Sequence, residues 1–369
     1  MSDNPVIDWM TLSFVPGLGS KGIRQLITRF GSPGALFSAF KNGTEKSSGV
    51  RKQVCASLLN PTPLREKAKA HLKRIQAGGA EAICPDNVEY PQSLKEIADS
   101  PPVLYVQGRI DLLSSLCLAM VGSRAATAYG KRSSFSLARD LASAGVTVVS
   151  GLALGVDSEA HSGALSAQGA TIGVLGCGLD VVYPRQNQKL YEQIRKHGLL
   201  VTEYPLGTKP DGFRFPARNR IIAGLSRGVV VVEAARKSGS LITAEMALDE
   251  GRDVFAVPGQ IDSFKSCGTH WLLQQGAKLV QSADDILVEL DCSWQARSNG
   301  ESTDTDIVGI DVDPEARELL QSIDVYPASR NELIIKSGLG PAKVTELLLL
   351  LELEGLVEML PGDEIRRLV

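Results

Sequence analysis

Residues Phe213 to Glu245, FRFPARNRIIAGLSRGVVVVEAARKSGSLITAE, hold in one run the parts from which the fold can be read. The central Gly228-Val-Val-Val-Val-Glu233 is too short to cross a bilayer and predicts a strand covered on both faces, as in a parallel sheet. An apolar helix starting near Pro216 precedes it. Ser238-Gly-Ser240 follows it and turns the chain into a second helix near Leu241, whose free backbone amides would attract an anion. Three arginines, Arg214, Arg218 and Arg220, alternate with Phe213, Phe215 and Asn219 at the head of the stretch. Guanidinium groups grip phosphate in a fork, and a phenyl ring offers a stacking face to any base. A single strand of nucleic acid would satisfy all of these groups. Taken alone, the segment is equally compatible with a solvated row of arginines and a buried Phe215.

Working outward, short apolar runs alternate with amphipathic helices from Leu116 to Leu290. Candidate strands are Cys117–Val121, Val146–Ser150, Thr171–Leu175, Leu199–Glu203, Val229–Glu233, Val254–Val257 and Lys278–Val280, with helices starting near Tyr129, Val156, Asn187, Pro216, Leu241, His270 and Asp284. Six or seven βα units in series predict an α/β fold with a Rossmann-like, doubly wound parallel sheet. Ligands of such sheets lie at the carboxyl ends of the strands. There the turns read Gly122-Ser123-Arg124, Gly151, Gly155-Val-Asp157, Gly176-Cys-Gly178, Tyr183-Pro184-Arg185, Phe213 to Arg220, Ser238-Gly239-Ser240 and Pro258-Gly259. Their convergence on one edge predicts an anion-binding trough.

A dinucleotide or ATP site does not fit these turns. Gly122-Ser-Arg-Ala-Ala-Thr127 lacks the second and third glycines of GxGxxG, Gly173 of the next candidate falls inside a strand, and GxxxxGK[ST] is missing. No cofactor is expected. Asp157 and His161, at i and i+4 on one helix, could mimic a triad with Ser123 or Ser150, but neither serine sits in a G-x-S-x-G elbow. An aspartate favoured by a helix start, with a histidine beside it, is the plainer reading.

The chain has 369 residues, enough for two or three domains, with 39 Lys and Arg against 42 Asp and Glu. With a formal charge of −3, no global basic field gathers nucleic acid, so any such site must be local. The opening MSDNPVIDWM does not resemble a secretory signal, no run is long enough for a membrane span, and the six cysteines and four histidines lack zinc-site spacing. A reduced, cytoplasmic protein is expected, without a metal and without membrane contact.

Residues 1–80 read as a helical domain in which Val15-Pro-Gly-Leu-Gly19 resembles the hairpin of a helix-hairpin-helix, or SAM-like, unit; a plain tight turn is the competing reading. A proline-rich connector with Pro91, Pro101 and Pro102 leads through the strand candidate Val103–Gln107 into the sheet domain, placed at 85–291. Residues 292–312 have linker composition. The tail, 313–369, predicts helices over Ala316–Ile323, Arg330–Ser337 and Ala342–Glu354 and two strands around Pro361-Gly-Asp363, a winged helix. Its third helix carries one lysine against three glutamates and more leucine than one buried stripe needs. That composition opposes phosphate and predicts a protein contact instead.

Several of these motifs together resemble the DprA/Smf family of DNA-processing proteins: Gly122-Ser-Arg124, Ser150-Gly-Leu-Ala-Leu-Gly-Val-Asp157 with Ala160-His161, Gly176-Cys-Gly178-Leu-Asp180, Tyr183-Pro184 with Asn187, Phe215 to Ser226, Ser238 to Thr243, and Gly251-Arg252 through Val257-Pro-Gly259. Where the family often has glycine before the Thr171-Ile172 strand, this chain has Ala170. The resemblance implies a cytoplasmic protein that binds single-stranded DNA in natural transformation, protects incoming strands, loads RecA recombinase and forms a homodimer through the Rossmann-like domain. It implies a DNA pocket made of Gly122, Ser123, Arg124, Arg185, Phe215, Arg218, Asn219 and Arg220, with Lys237, Ser238, Gly239 and Ser240 as an amide cradle. It implies no enzyme. The alternative on the same sheet, a nucleoside-monophosphate phosphoribohydrolase, wants a PGGxGTxxE turn; Ser238-Gly-Ser-Leu-Ile-Thr-Ala-Glu-Met246 lacks the PGG and places Glu245 one position early.

Overall fold

The valine run at 228–231 is a fully buried strand near the middle of a nine-stranded sheet. In the computed structural model, which describes residues 4–42, 51–290, 314–323, 328–360 and 362–367, the chain divides into two units, Met1–Trp294 and Gln295–Val369. The strands of the first unit are β1 (Glu81–Ile83), β2 (Leu104–Gly108), β3 (Cys117–Val121), β4 (Thr147–Ser150), β5 (Thr171–Val174), β6 (Leu199–Thr202), β7 (Gly228–Val231), β8 (Asp253–Ala256) and β9 (Lys278–Leu279). They lie in the order β1-β2-β6-β5-β4-β3-β7-β8-β9. The strands from β3 onward pair in parallel. At the β1 edge the sheet is antiparallel, because β2 enters through the proline connector rather than a helical crossover.

The first unit's helices are α1 (Pro5–Ser13), α2 (Ser20–Phe30), α3 (Pro33–Lys41), α4 (Lys52–Leu59), α5 (Thr62–Ala77), α6 (Gln92–Glu96), α7 (Ala128–Ser143), α8 (Val156–Ser166), α9 (Gln188–His197), α10 (Arg214–Leu225), α11 (Gly239–Asp249), α12 (Cys267–Gln274) and α13 (Ala283–Glu289). Successive strand residues face opposite layers, as the pleat requires. Leu118, Met120, Val148 and Val230 join Leu137 and Leu141 of α7 and Ala160 of α8. Ala119, Val121, Val149, Val229 and Val231 join Ile221, Ile222 and Leu225 of α10 and Ala244 of α11. Both faces are therefore dry, which explains strands that read as continuous valine and leucine rather than as alternation.

The helices α1–α5 share one apolar cluster with Tyr105, Leu179, Tyr191 and Leu200 and so pack directly on the sheet. The Trp9 indole donates to Asp86 at 2.7 Å and Arg24 donates to the Ile97 carbonyl. Between α1 and α2, Gly17 takes a left-handed φ of 79°, which the tight hairpin turn requires. His71 of α5 lies between the rings of Phe14 and Tyr105 and accepts from Leu206 N, and burial pushes its pKa down.

The second unit is a winged helix made of α14 (Pro314–Ser322), α15 (Arg330–Ser337) and α16 (Pro341–Leu353) with β10 (Ala328–Ser329), β11 (Val357–Leu360) and β12 (Glu364–Arg367), the strands in the order β10-β12-β11. Leu319, Leu333, Val344, Leu347, Leu348, Leu351 and Ile365 form its core. Ser329 and Glu332 make a capping box on α15. The surplus leucines of α16, Leu349, Leu350 and Leu353, are exposed. The linker expected over 292–312 lies outside the described residues.

Candidate nucleic-acid interface

Strands β3 and β7 are neighbours, while the crossovers from β3 to β4 and from β7 to β8 run in opposite directions along the sheet. The carboxyl edge opens there into a cavity of about 510 Å³, lined among others by Gly122, Arg124, Asp157, Tyr183, Phe215 and Asn219. This is the switch-point crevice that doubly wound sheets offer to ligands.

On one wall, Phe215 stacks on Tyr183 with ring centroids 5.4 Å apart and planes at 26°. The Arg124 guanidinium also lies against the Phe215 ring, 5.3 Å from its centroid. Arg124 itself is exposed. Its loop is held by neighbours: Ser123 N donates to Glu233 O at 2.7 Å, and the Glu233 carboxylate accepts from Thr127 N and Thr127 Oγ1. Gly155, at φ 79°, lets the loop after β4 approach so closely that a Cβ there would stand 2.3 Å from Ser123 O. Helix α11 begins at the same cavity, with Ser238 as N-cap and Gly239 exposed. Asn219 Nδ2 reaches Gly239 O at 3.4 Å. The site therefore offers a planar cation, a stacked pair of rings and an open helix N-terminus, the components of a phosphate-and-base grip.

The floor is built differently. Arg218 is 4% exposed and donates to Gly151 O at 2.8 Å and to Val174 O, so it ties the ends of β4 and β5 together. Gly151 is glycine because a Cβ there would overlap that guanidinium. Asp157 beside it accepts from Gly151 N and Ala153 N. Burial pushes the Asp157 carboxyl above its ordinary range, against the pull of Arg218 and the two amides, and lowers the pKa of Arg218 in turn. Arg218 thus lines the cavity while its Nη1 braces the strand ends beneath it.

Of the twelve residues expected in the pocket, Gly122, Arg124, Phe215, Arg218, Asn219, Ser238, Gly239 and Ser240 line it together. Arg220 does not. Its guanidinium is held bidentate by Glu203 at 3.0 and 2.6 Å, with Asp99 at 3.3 Å and Ser20 Oγ at 3.5 Å. This network fastens α10 to the connector and to α2. Arg185 also departs from expectation, lining a separate shallow depression with Gln188, Lys189 and Glu192. Lys237 is exposed next to the α11 turn, and Ser123 contributes its backbone to the loop brace, neither lining the cavity.

The hydrolytic alternatives find no assembly. Glu245 is exposed on α11 and stands outside the cavity lining. His161 is fully buried, with Nδ1 2.6 Å from Thr171 Oγ1 and a pKa lowered to about 3 by burial and by Arg218, while the Ser150 hydroxyl donates to Met120 O. A histidine that neither meets a serine nor accepts a proton near neutral pH is not a general base.

The family model described as DNA recombination-mediator protein A matches residues 81–291, and that of the DprA winged helix domain matches 308–363. Protein Smf of Synechocystis is 33% identical over 402 aligned residues that cover the whole of both chains. The chain belongs to the DprA/Smf family. Among solved structures, DNA processing protein A from Streptococcus pneumoniae superposes with a TM-score of 0.63 at 38% identity, over 78% of this chain and 99% of its own. DNA processing protein A from Helicobacter pylori, studied for its single-stranded DNA binding mode, gives 0.53 at 34% identity over 57% of this chain and 95% of its own. Within this DprA/Smf chain, Tyr183, whose turn is expected at the edge though the residue itself is not among the twelve pocket residues, and Glu233 are further parts of the site. Tyr183 carried a usable signal, an aromatic residue at a strand-end turn; Glu233 acts only through tertiary contact.

Proposed function

We propose that the cavity at the β3/β7 switch point holds a segment of single-stranded DNA, and that this chain protects such strands and passes them to the RecA recombinase. Arg124 and the α11 N-terminus take phosphates, Phe215 and Tyr183 take a base, and Asn219 with the Ser238–Ser240 turn completes the grip. The observation that carries the reading is the Arg124–Phe215–Tyr183 cluster lining one cavity with the N-terminus of α11. Charge and ring lie side by side there on a molecule whose net charge is −3, so binding is local rather than a diffuse attraction. In this reading the protein is a binding mediator without catalysis, pairs as a homodimer through the sheet domain, and acts in the cytoplasm. Its modules are the helical start at 1–80, the DNA-binding sheet at 85–291 and the tail at 313–369. The resemblance to DprA proteins supports the RecA step and the dimer. No helix among the described residues is long and apolar enough to cross a membrane.

The test is binding of labelled oligothymidylate against duplex of equal length across a salt series. Preference for the single strand is expected, and Arg124→Ala should weaken it about tenfold and flatten the slope of log affinity against log salt by about 0.7. Equal affinity for duplex, or an unchanged slope, defeats the proposal.

A further inference from the structure

Past Arg124, the carboxyl edge continues onto residues 258–266, Pro-Gly-Gln-Ile-Asp-Ser-Phe-Lys-Ser, between β8 and α12. This loop is folded back on itself. Ser266 N donates to Ser263 O at 3.0 Å, His270 Nε2 stands 3.0 Å from Gly259 O, and a Cβ on Gly259 would lie 2.1 Å from Ser266 Oγ. Two bonds fasten it to neighbouring elements: Lys265 Nζ donates to Ala125 O of the Arg124 loop, and Tyr129 OH of α7 donates to Pro258 O at 2.7 Å. From this braced platform Phe264 projects 72% exposed and Ile261 94% exposed.

A phenyl ring 72% exposed on a loop so fully tied down is held out to solvent in a fixed place. A mobile tip would explain exposure by its softness, and this loop is pinned at both ends. The ring also stands on the element bonded to Ala125, the residue next to Arg124. We infer that the DNA track extends beyond the cavity and that Phe264 stacks one further base. The inference rests on the proposed cavity site. The loop's own charges, Asp262 and Lys265, cancel, so the contact works through the ring and adds no phosphate neutralisation.

Fluorescence anisotropy of the full-length protein separates the two readings, with oligothymidylates of about four and about twelve nucleotides, the first filling the cavity and the second reaching past it. Phe264→Ala should weaken the longer oligonucleotide about 5- to 50-fold, spare the shorter one and leave the salt slope unchanged, and Phe264→Tyr should restore affinity. Arg124→Ala should weaken both lengths and flatten the slope. If Phe264→Ala leaves the longer oligonucleotide unaffected, weakens both lengths alike, or changes the protein's mass in solution, the extension is wrong while the cavity stands. If Arg124→Ala changes neither length, the cavity reading falls and the extension goes with it.

Discussion

The sheet edge and the winged helix are the two places where fold precedent alone would put nucleic acid, and they differ in what they show to solvent. The edge presents Arg124 over Phe215, Tyr183 stacked on that ring, and the start of α11 lining the same cavity. Helix α16, which in a DNA-reading winged helix would enter the major groove, instead exposes Leu349, Leu350 and Leu353, and its single lysine pairs with Glu315 and Glu346. The contrast teaches that a fold supplies positions and the exposed side chains decide what binds there.

The sharpest way to break the comparison is to attack the edge through its floor. Arg218→Ala removes a buried guanidinium that joins the ends of β4 and β5 and leaves Asp157 without its counter-charge. Removing a buried, hydrogen-bonded charge of this kind costs about 3–5 kcal/mol, so urea denaturation should show a large fall in the stability of the sheet unit. Arg124→Ala, at an exposed position, should shift stability by less than about 0.5 kcal/mol. Equal stability of the two variants would mean that Arg218 is no brace and that floor and rim do not differ.

Acid probes the same difference more gently. His161 is buried in its neutral form with a pKa of about 3, while the unfolded chain takes up a proton at about 6.5. Below that upper value the unfolded state holds one more proton than the folded state. Stability should therefore fall by about 1.4 kcal/mol per pH unit from about pH 6.5 downward, about 2 kcal/mol by pH 5, until the folded histidine protonates near pH 3. The lowered pKa of His71 acts in the same direction. All four histidines lie in the sheet unit, so the winged helix should stay flat between pH 7 and 5. Denaturation of His161→Leu should show a shallower slope than the parent; an unchanged slope would remove this histidine from the account.

How far the site could be read in advance follows from the geometry of its parts. The strands were legible because burial on both faces leaves runs such as Val229–Val232 without polar interruption, and the turns because Gly155 and Gly151 stand where other chain comes too close for a Cβ. The separate roles of Arg218 and Arg220 were not taken from the pattern, though helical spacing contains them. Residues two apart on a helix point about 200° from each other, so both could not face one cavity. The strand β1 was missed because three residues at an antiparallel edge carry too little pattern. The clasp of Glu233 on Thr127 joins residues far apart in sequence, and no local signal announces it.

The smallest effect expected is also the one that bears most directly on the opening contrast. If the edge alone grips DNA, ending the chain after Asp306 removes the winged helix yet should leave single-strand affinity within about twofold, a change below about 0.4 kcal/mol. Leu350→Lys, which places a cation on the exposed face of α16, should likewise leave it unchanged if DNA does not visit that face, whereas a helix lying along phosphates would gain affinity from the added charge and show a steeper salt slope. Titrations of both variants at two salt concentrations decide between these outcomes. A protein partner seated on the leucines would respond the opposite way, since a buried ammonium without a counter-charge opposes association. Loss of a partner with DNA affinity intact would assign the two exposed surfaces to different ligands; a steeper slope would give both to DNA.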